Sequence, residues 1–408
     1  MRHVPYWLDK FPKTRRPSYP RLRGSHEARV VIVGGGLTGC ACALAFAAAG
    51  VRAMLLEAES IGEGATAGAD GLLREGFGGS FQETVARHGV KTTRLLWEGM
   101  RRGSLDLAAT LRRLKIRCDL TPMDVLTIAP RYGEEVKRLR REQGVRRDAG
   151  ADASWITAAA ASRSAALEIG GAVRTRGSVI DPYRACVGIA AAAASRGAAL
   201  YERSAVKRIK PSSRHVEITT DGGAVRADAV IIASGAPLSD LRALRRHLAP
   251  SSLYGVVTEP LPSTVRRQVG RRASAIEDFG ESQRLVRWLP EDRAMIRGGR
   301  QSEVPARLQD RALTQRTGQL MYELSLLYPA ISGLQPAWSW HTTDYDTVDG
   351  MPFIGPHRNF PRHLFAWTPS RHGAGAAWTA ARLLLRRYQD ATLKGDEAFG
   401  FSRVISNQ

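Results

Sequence analysis

The stretch VVIVGGGLTGC, residues 30–40, constrains the fold more than any other part of the chain. Three hydrophobic residues, Val31 to Val33, run straight into Gly34, Gly36 and Gly39, which stand in G-x-G-x-x-G register. A small-residue segment of helical character, CACALAFAAAG, follows. Strand, tight turn and helix start, in that order, are what a dinucleotide-binding unit requires. Gly34 allows the turn after the strand, Gly36 lets backbone approach a pyrophosphate, and Gly39 lets the helix pack close to the sheet. The helix start at Leu37 and Thr38 presents free N–H groups and a positive dipole end to phosphates. The next strand, AMLLE, ends at Glu57. That carboxylate lies roughly 20 residues on, where it can accept a ribose hydroxyl.

At 408 residues the chain is too long for one core, so two domains are expected. No run of about 18 apolar residues appears, and the basic, proline-rich start lacks the apolar segment of a signal peptide. The four cysteines, Cys40, Cys42, Cys118 and Cys186, form no C-x-x-C pair and no metal pattern. They read as reduced thiols in a cytoplasmic protein without a metal site. The net charge of +21 favours anionic partners, whether nucleic acid or a membrane surface touched peripherally. The excess is scattered arginine, however, with no dense block interleaved with aromatics, which argues against a specific nucleic-acid partner.

Residues 1–27 read as an irregular arm, too rich in proline, glycine and charge for a helix, with Tyr6, Trp7 and Phe11 available for docking. Residues 83–115 have helical spacing broken near Gly103, 133–145 form a charged helix, and 182–197 form a helix started by Asp181-Pro182. VEITT and AVRAD flank Asp221-Gly222-Gly223 as a hairpin, and AVIIASG is a buried strand. The block 246–334 alternates short strands with one helix over 306–328, and a last helix runs from about Ala374 to Tyr388. Nucleotide-type strands recur near residues 30, 230 and 365. The dinucleotide domain is therefore expected to be discontinuous, built from 28–99, 175–245 and 335–395. A second domain comprises 100–174 and 246–334, and 396–408 is a tail.

NAD and FAD share the first unit. A second Gly/Ala/Thr stretch, SIGEGATAGADGLL, follows Glu57 and offers more bare backbone, which suits the longer, buried FAD. The motifs VVIVGGGLTG with Glu57, GEGATAGADG, SVIDPYR, SAVKRI, ADAVIIASG, RWLPEDRAMIRGG and DTVDGMPFIGP stand in order along residues 28–390. In this the chain resembles the D-amino-acid-oxidase-like, or glycine-oxidase-like, FAD-dependent oxidoreductases. The resemblance implies an α/β fold: a discontinuous Rossmann-like FAD-binding domain with an α+β substrate domain built on a mixed or antiparallel sheet. It implies that Gly34, Gly36, Thr38 and Gly39 meet the pyrophosphate and that Glu57 meets the ribose. Ala65, Thr66 and Gly71 would lie beside pyrophosphate and flavin, and Val206 would contact adenine through its backbone. Ala233 and Gly235 match the family's ATG-type turn. Gly350, Ile354 and Gly373 belong to the segments that close over the flavin.

The resemblance further implies oxidation of a C–N bond by hydride transfer to the flavin. The protein then orients substrate and tunes the ring, and no catalytic triad is expected. Arg287 matches a position on the substrate side of the flavin or is a strand-edge arginine. Arg371 matches an arginine beside a substrate carboxylate, His372 reaches the flavin edge or caps, and Tyr254 lines the pocket or packs. His341 is a weaker candidate. At Asp344, glycine-oxidase-like members often carry a carboxylate-binding arginine. An acid there is expected to hold a cationic amine, which points to an amine, polyamine-like or N-substituted substrate rather than a simple amino acid, unless the loop is rearranged and turns Asp344 to solvent. The lysine that activates oxygen has no clear match, with Arg297 nearest, so the acceptor is oxygen or a quinone or other carrier. A flavoprotein acting on tRNA or other RNA, and a flavin-binding protein without turnover, are the alternatives. No cysteine lies within 338–347 to carry a covalent flavin, so FAD is expected to be non-covalent. On acid precipitation the yellow colour should move wholly into the supernatant. Colour that stays with the pellet would show a covalent link.

Overall fold

A computed structural model of the chain describes residues 1–280 and 284–405. Its first sheet is organised around two parallel neighbours, Gly24–Val33 and Gly223–Ile232, with Ala53–Leu56 and then Ala199–Tyr201 following on one side. The central strands are hydrophobic without alternation, and Val30, Val31 and Ile32 are fully buried, as a strand covered on both faces requires. The free edge of Gly223–Ile232 is shared: Val216–Thr220 pairs antiparallel to its first half, and Phe360–Trp367 pairs parallel to its end. The three strand signals near 30, 230 and 365 are thus adjacent in space.

The helix Leu37–Ala48 is apolar all round and buried, packed between Pro182–Ala194 and Gly375–Tyr388. Pro182–Ala194 begins as its sequence suggests, with the Asp181 carboxylate accepting from the Arg184 N–H at 3.0 Å.

The second sheet has eight strands and is mostly antiparallel, with one parallel pair, Ser274–Asp278 against Asp124–Ala129. The strand Pro336–Thr347 pairs along its length with Leu248–Thr258 at one edge of this sheet. The return to the first sheet therefore comes after residue 347, not at 335. A small three-stranded sheet, Leu72–Arg74, Gly177–Val179 and Thr121–Pro122, joins the two.

Two sequence expectations are corrected here. The long helix Phe81–Arg113 is interrupted at Gly89, where φ is +76°, and not at Gly103. Gly103 is helical, and its missing side chain serves packing: a Cβ there would lie 1.9 Å from Thr379 Oγ1 and 2.8 Å from the Gly375 carbonyl. The arm of residues 1–27 also holds a short helix, Tyr6–Lys10, which its prolines bracket without interrupting. Its Tyr6 and Trp7 are buried as expected.

Helix propensity alone makes Gly103→Ala stabilising by about 1 kcal/mol. The close approach of Thr379 and Gly375 reverses this, so the variant should unfold at a lower temperature than wild type, with overpacking costing about 1–3 kcal/mol. Thermal unfolding followed by circular dichroism measures the sign.

Candidate functional site

The glycine turn sits where the two central strands end together. The Ala233 N–H donates to Val33 O at 2.9 Å, and a Cβ on Gly34 would stand 2.6 Å from Ala233 O. A Cβ on Gly39 would stand 1.9 Å from Gly34 O, so helix and turn touch backbone to backbone. The helix start at Gly36 has no side-chain cap of its own. The Glu57 carboxylate accepts from the Gly35 and Glu59 N–H groups, which fixes the acid against the turn. The Ser204 N–H donates to Glu57 O, which brings the segment leading to Val206 alongside. Thr66 Oγ1 accepts from Leu37 N–H at 3.0 Å, and Thr38 Oγ1 lies 3.3 Å from Thr368 Oγ1. Ala65 is exposed, and Gly235 has φ +69° with open space around it. A helix start with glycine at its N-cap, a carboxylate at the neighbouring strand end and a loop of small residues beside both fit a dinucleotide.

The turns expected at the flavin converge further on. Gly71, Gly350 and Gly373 all have positive φ, at +70°, +75° and +74°. A Cβ at Gly71 would meet Ile180 O at 2.2 Å, and one at Gly373 would meet Leu72 O at 2.3 Å, so only glycine fits either place. His372 Nε2–H donates to Gly350 O at 2.8 Å and ties the last two turns together. Burial, then the charge of Arg371, pushes the His372 imidazole down to about 3. This wholly buried ring stays neutral and positions backbone rather than shuttling protons. Ile354 is buried in the strand Phe353–His357.

Beside these turns lies a cavity of about 700 Å³. Eight arginines and six carboxylates line it, Asp70, Arg297, Arg300, Gly350 and Arg371 among them, so its wall carries a positive excess. Arg297 Nη1 pairs with Asp70 at 3.2 Å, and Arg74 with Glu277. Arg300 spans Asp344 at 2.7 Å and Asp346 at 2.6 Å, and Arg371 joins Asp346 at 2.8 Å.

Arg300 was not expected from the sequence. In a regular strand Arg297 and Arg300 would face opposite sides. Here the register slips: Tyr254 faces Gly298 but Ser252 faces Gln301, so two residues oppose one. Gly299, at φ +63°, supplies the left-handed residue of this bulge, and both arginines reach the cavity. The Gly298-Gly299 pair inside a strand was the available signal.

Three expected site residues lie elsewhere. Asp344 does not line the cavity, and it is not free to hold an amine. Its buried carboxylate accepts from Arg300, from Ser370 Oγ at 2.6 Å and from Ser370 N–H at 3.3 Å. Burial pushes the Asp344 carboxyl up, but the Arg300 charge and the donated bonds outweigh it, and the net shift is downward. Tyr254 points to the other face from its neighbour Leu253, which does line the cavity. Its hydroxyl takes a bond from Gln301 Nε2 at 2.8 Å, and its ring lies 5.8 Å from that of His341. Arg287 is buried beneath the cofactor loop and donates to the carbonyls of Asp70 and Ile180.

A family model described as FAD dependent oxidoreductase (DAO) matches residues 29–387. The chain is 26% identical over 383 residues to gamma-glutamylputrescine oxidoreductase of Escherichia coli K12, covering 90% of this chain and 84% of the relative. It is 28% identical over 340 residues to glycine oxidase of Geobacillus kaustophilus HTA426, covering 82% and 85%. The crystal structure of glycine oxidase from Geobacillus kaustophilus superposes with a TM-score of 0.73 at 22% identity, covering 92% of this chain and 98% of that one. L-proline dehydrogenase from P. horikoshii superposes at 0.74 with 19% identity, covering 94% and 99%. Among the described residues, no helix is long and apolar enough to cross a membrane, and no cluster of His, Cys, Asp and Glu could hold a metal ion.

Asp344→Asn removes one partner of a buried ion pair and should cost roughly 3 kcal/mol at neutral pH. A carboxylate whose folded pKa is depressed stabilises above its unfolded pKa and loses that contribution as pH falls through its folded value. The gap between wild type and variant, read from thermal unfolding, should therefore be full at pH 7 and narrow below about pH 4.

Proposed function

The chain belongs to the FAD-dependent oxidoreductase family, and we propose that it oxidises the carbon–nitrogen bond of an amine that also carries a carboxylate, an amino acid or an N-substituted relative of one. The positive wall of the cavity carries this reading. At its flavin end, Arg297 pairs with Asp70, while Arg300 and Arg371 stand in one network held in place by Asp344 and Asp346. A guanidinium fixed in this way offers a planar, always-charged donor to a carboxylate. Asp344 then serves as the support of Arg300 and is not itself the receptor for a cation.

The cavity volume exceeds what glycine needs and admits a substrate with an extended middle. The compound named in the Escherichia coli relative, an amine joined to a glutamyl group, is of this kind. The glycine turn, Glu57 and the loop 65–71 would hold FAD without a covalent link, and bound FAD supplies the hydride acceptor. Arg300 and Arg371 orient the substrate, Gly350 and Gly373 bring backbone close to the cofactor, and neutral His372 keeps those turns together. The arginines are scattered through the sequence with no dense basic block, and many pair with acids, so an RNA substrate is the weaker reading. Four buried, unpaired cysteines suit a reducing compartment such as the cytoplasm.

The test is anaerobic mixing of the flavin-loaded enzyme with glycine, longer amino acids, N-acylated diamines bearing a carboxylate, and plain diamines. Carboxylated amines should bleach the visible flavin band first. Faster bleaching by plain diamines would sink the proposal. Arg300→Gln should raise the half-saturating concentration of the best carboxylated substrate by roughly tenfold to a hundredfold, the effect of losing a charge-assisted bond.

A further inference from the structure

The loop 61–71 bridges the two ends of the site. At one end Thr66 holds the Leu37 N–H at the helix start, and at the other Asp70 lines the cavity and pairs with Arg297. Three consecutive carbonyls of this loop are taken by donors from outside it. Gly68 O accepts from Trp340 Nε1 at 3.1 Å, Ala69 O from Trp7 Nε1 at 2.9 Å, and Asp70 O from Arg287 Nη1. The Arg287 guanidinium lies over the Trp7 ring, 4.8 Å from its centroid, so Trp7 serves two of the three anchors.

Trp7 belongs to the N-terminal arm, which is itself fastened on both sides. The Arg2 N–H donates to Ala337 O at 2.8 Å, and the Ser339 N–H returns a bond to Arg2 O at 2.9 Å. Asp9 Oδ2 accepts from Trp338 Nε1 at 2.9 Å, and Tyr6 packs edge-on against Trp338. Arg16 donates to Leu8 O at 2.6 Å and pairs with Glu63 at 3.3 Å, which closes the arm on the start of the same loop.

We infer that the N-terminal arm is a working part of the flavin site: Trp7 is a positioning residue that sets the backbone of residues 68–71 for FAD. The inference rests on the FAD reading above. Its mechanism is preorganisation. With the three carbonyls turned outward and held, the loop meets the cofactor already ordered and loses less entropy on binding. Without the Trp7 N–H, Ala69 O is left without its donor, and the six-membered ring of a phenylalanine covers less of the Arg287 guanidinium than the indole does.

The experiment uses the full chain with Trp7→Phe, which keeps an aromatic ring and loses the donor. Asp9→Ala, which releases the arm from Trp338 and leaves Trp7 intact, is the second variant. FAD dissociation is followed by flavin fluorescence, the visible flavin band is recorded, and apo-protein unfolding is measured alongside. The expected result is an apo unfolding midpoint lowered by a few degrees, a larger fall in the FAD-loaded midpoint, FAD binding weakened roughly tenfold in Trp7→Phe, and a visible band of altered shape. Asp9→Ala should shift FAD binding in the same direction. Wild-type FAD affinity and spectrum in both variants would overturn the inference. So would an apo midpoint that falls as far as that of the loaded form, which would make Trp7 merely structural. A wild-type chain that binds no FAD would remove the cofactor reading itself, and the inference with it.

Discussion

The parallel pairing of Gly24–Val33 with Gly223–Ile232 is the constraint on which the site depends. Their register brings Val33 opposite Ile232, so both strands end at the same level, and the turns at Gly34 and Ala233 then touch. A side chain at Gly34 would strike Ala233 O, and one at Gly39 would strike Gly34 O. The helix start is therefore held at the sheet end by close backbone contact, with Thr66 Oγ1 taking the Leu37 N–H. The cavity side is tied to this point by one loop, through Thr66 at the turn and Asp70 at the cavity wall.

Electrostatics organises the other end. Arginines dominate the cavity wall, and acids behind them decide where they point. Asp344 and Asp346 are the clearest case: one holds Arg300 and Ser370, and both connect through Arg300 to the Asp346–Arg371 pair. The segment 370–373 is thereby fixed to the strand Pro336–Thr347. The same pairing recurs elsewhere, at Arg284–Asp278 and Arg386–Asp396 for example, and the net charge of +21 is the excess of bases over acids that no such pair can cancel.

The dinucleotide half was legible because its chemistry is local. Glycine spacing, strand hydrophobicity and an acid at the next strand end are all read within one short window, and each lies where that window puts it. The FAD-dependent oxidoreductase family follows from several such windows in order. The substrate half was legible only in part. The acid at Asp344 was visible, but its partner Arg300 comes from a strand that is not its sequence neighbour. Tyr254 was misplaced because strand alternation puts Leu253, and not Tyr254, toward the cavity. The kink expected at Gly103 was really at Gly89, since a glycine read alone does not tell a turn from a close helix contact.

By itself, the sequence determined the turn, the cofactor class and the order of the elements, because these follow from backbone freedom and short-range periodicity. Only the tertiary structure decided what faces what. The bulge at Gly298-Gly299 turned two arginines to one side, and the N-terminal arm, charged and proline-rich, became a strap that buries Tyr6 and Trp7 against the cofactor loop. Both outcomes depend on partners far apart in the chain. Such partners find each other through packing and charge neutralisation, which no local pattern records.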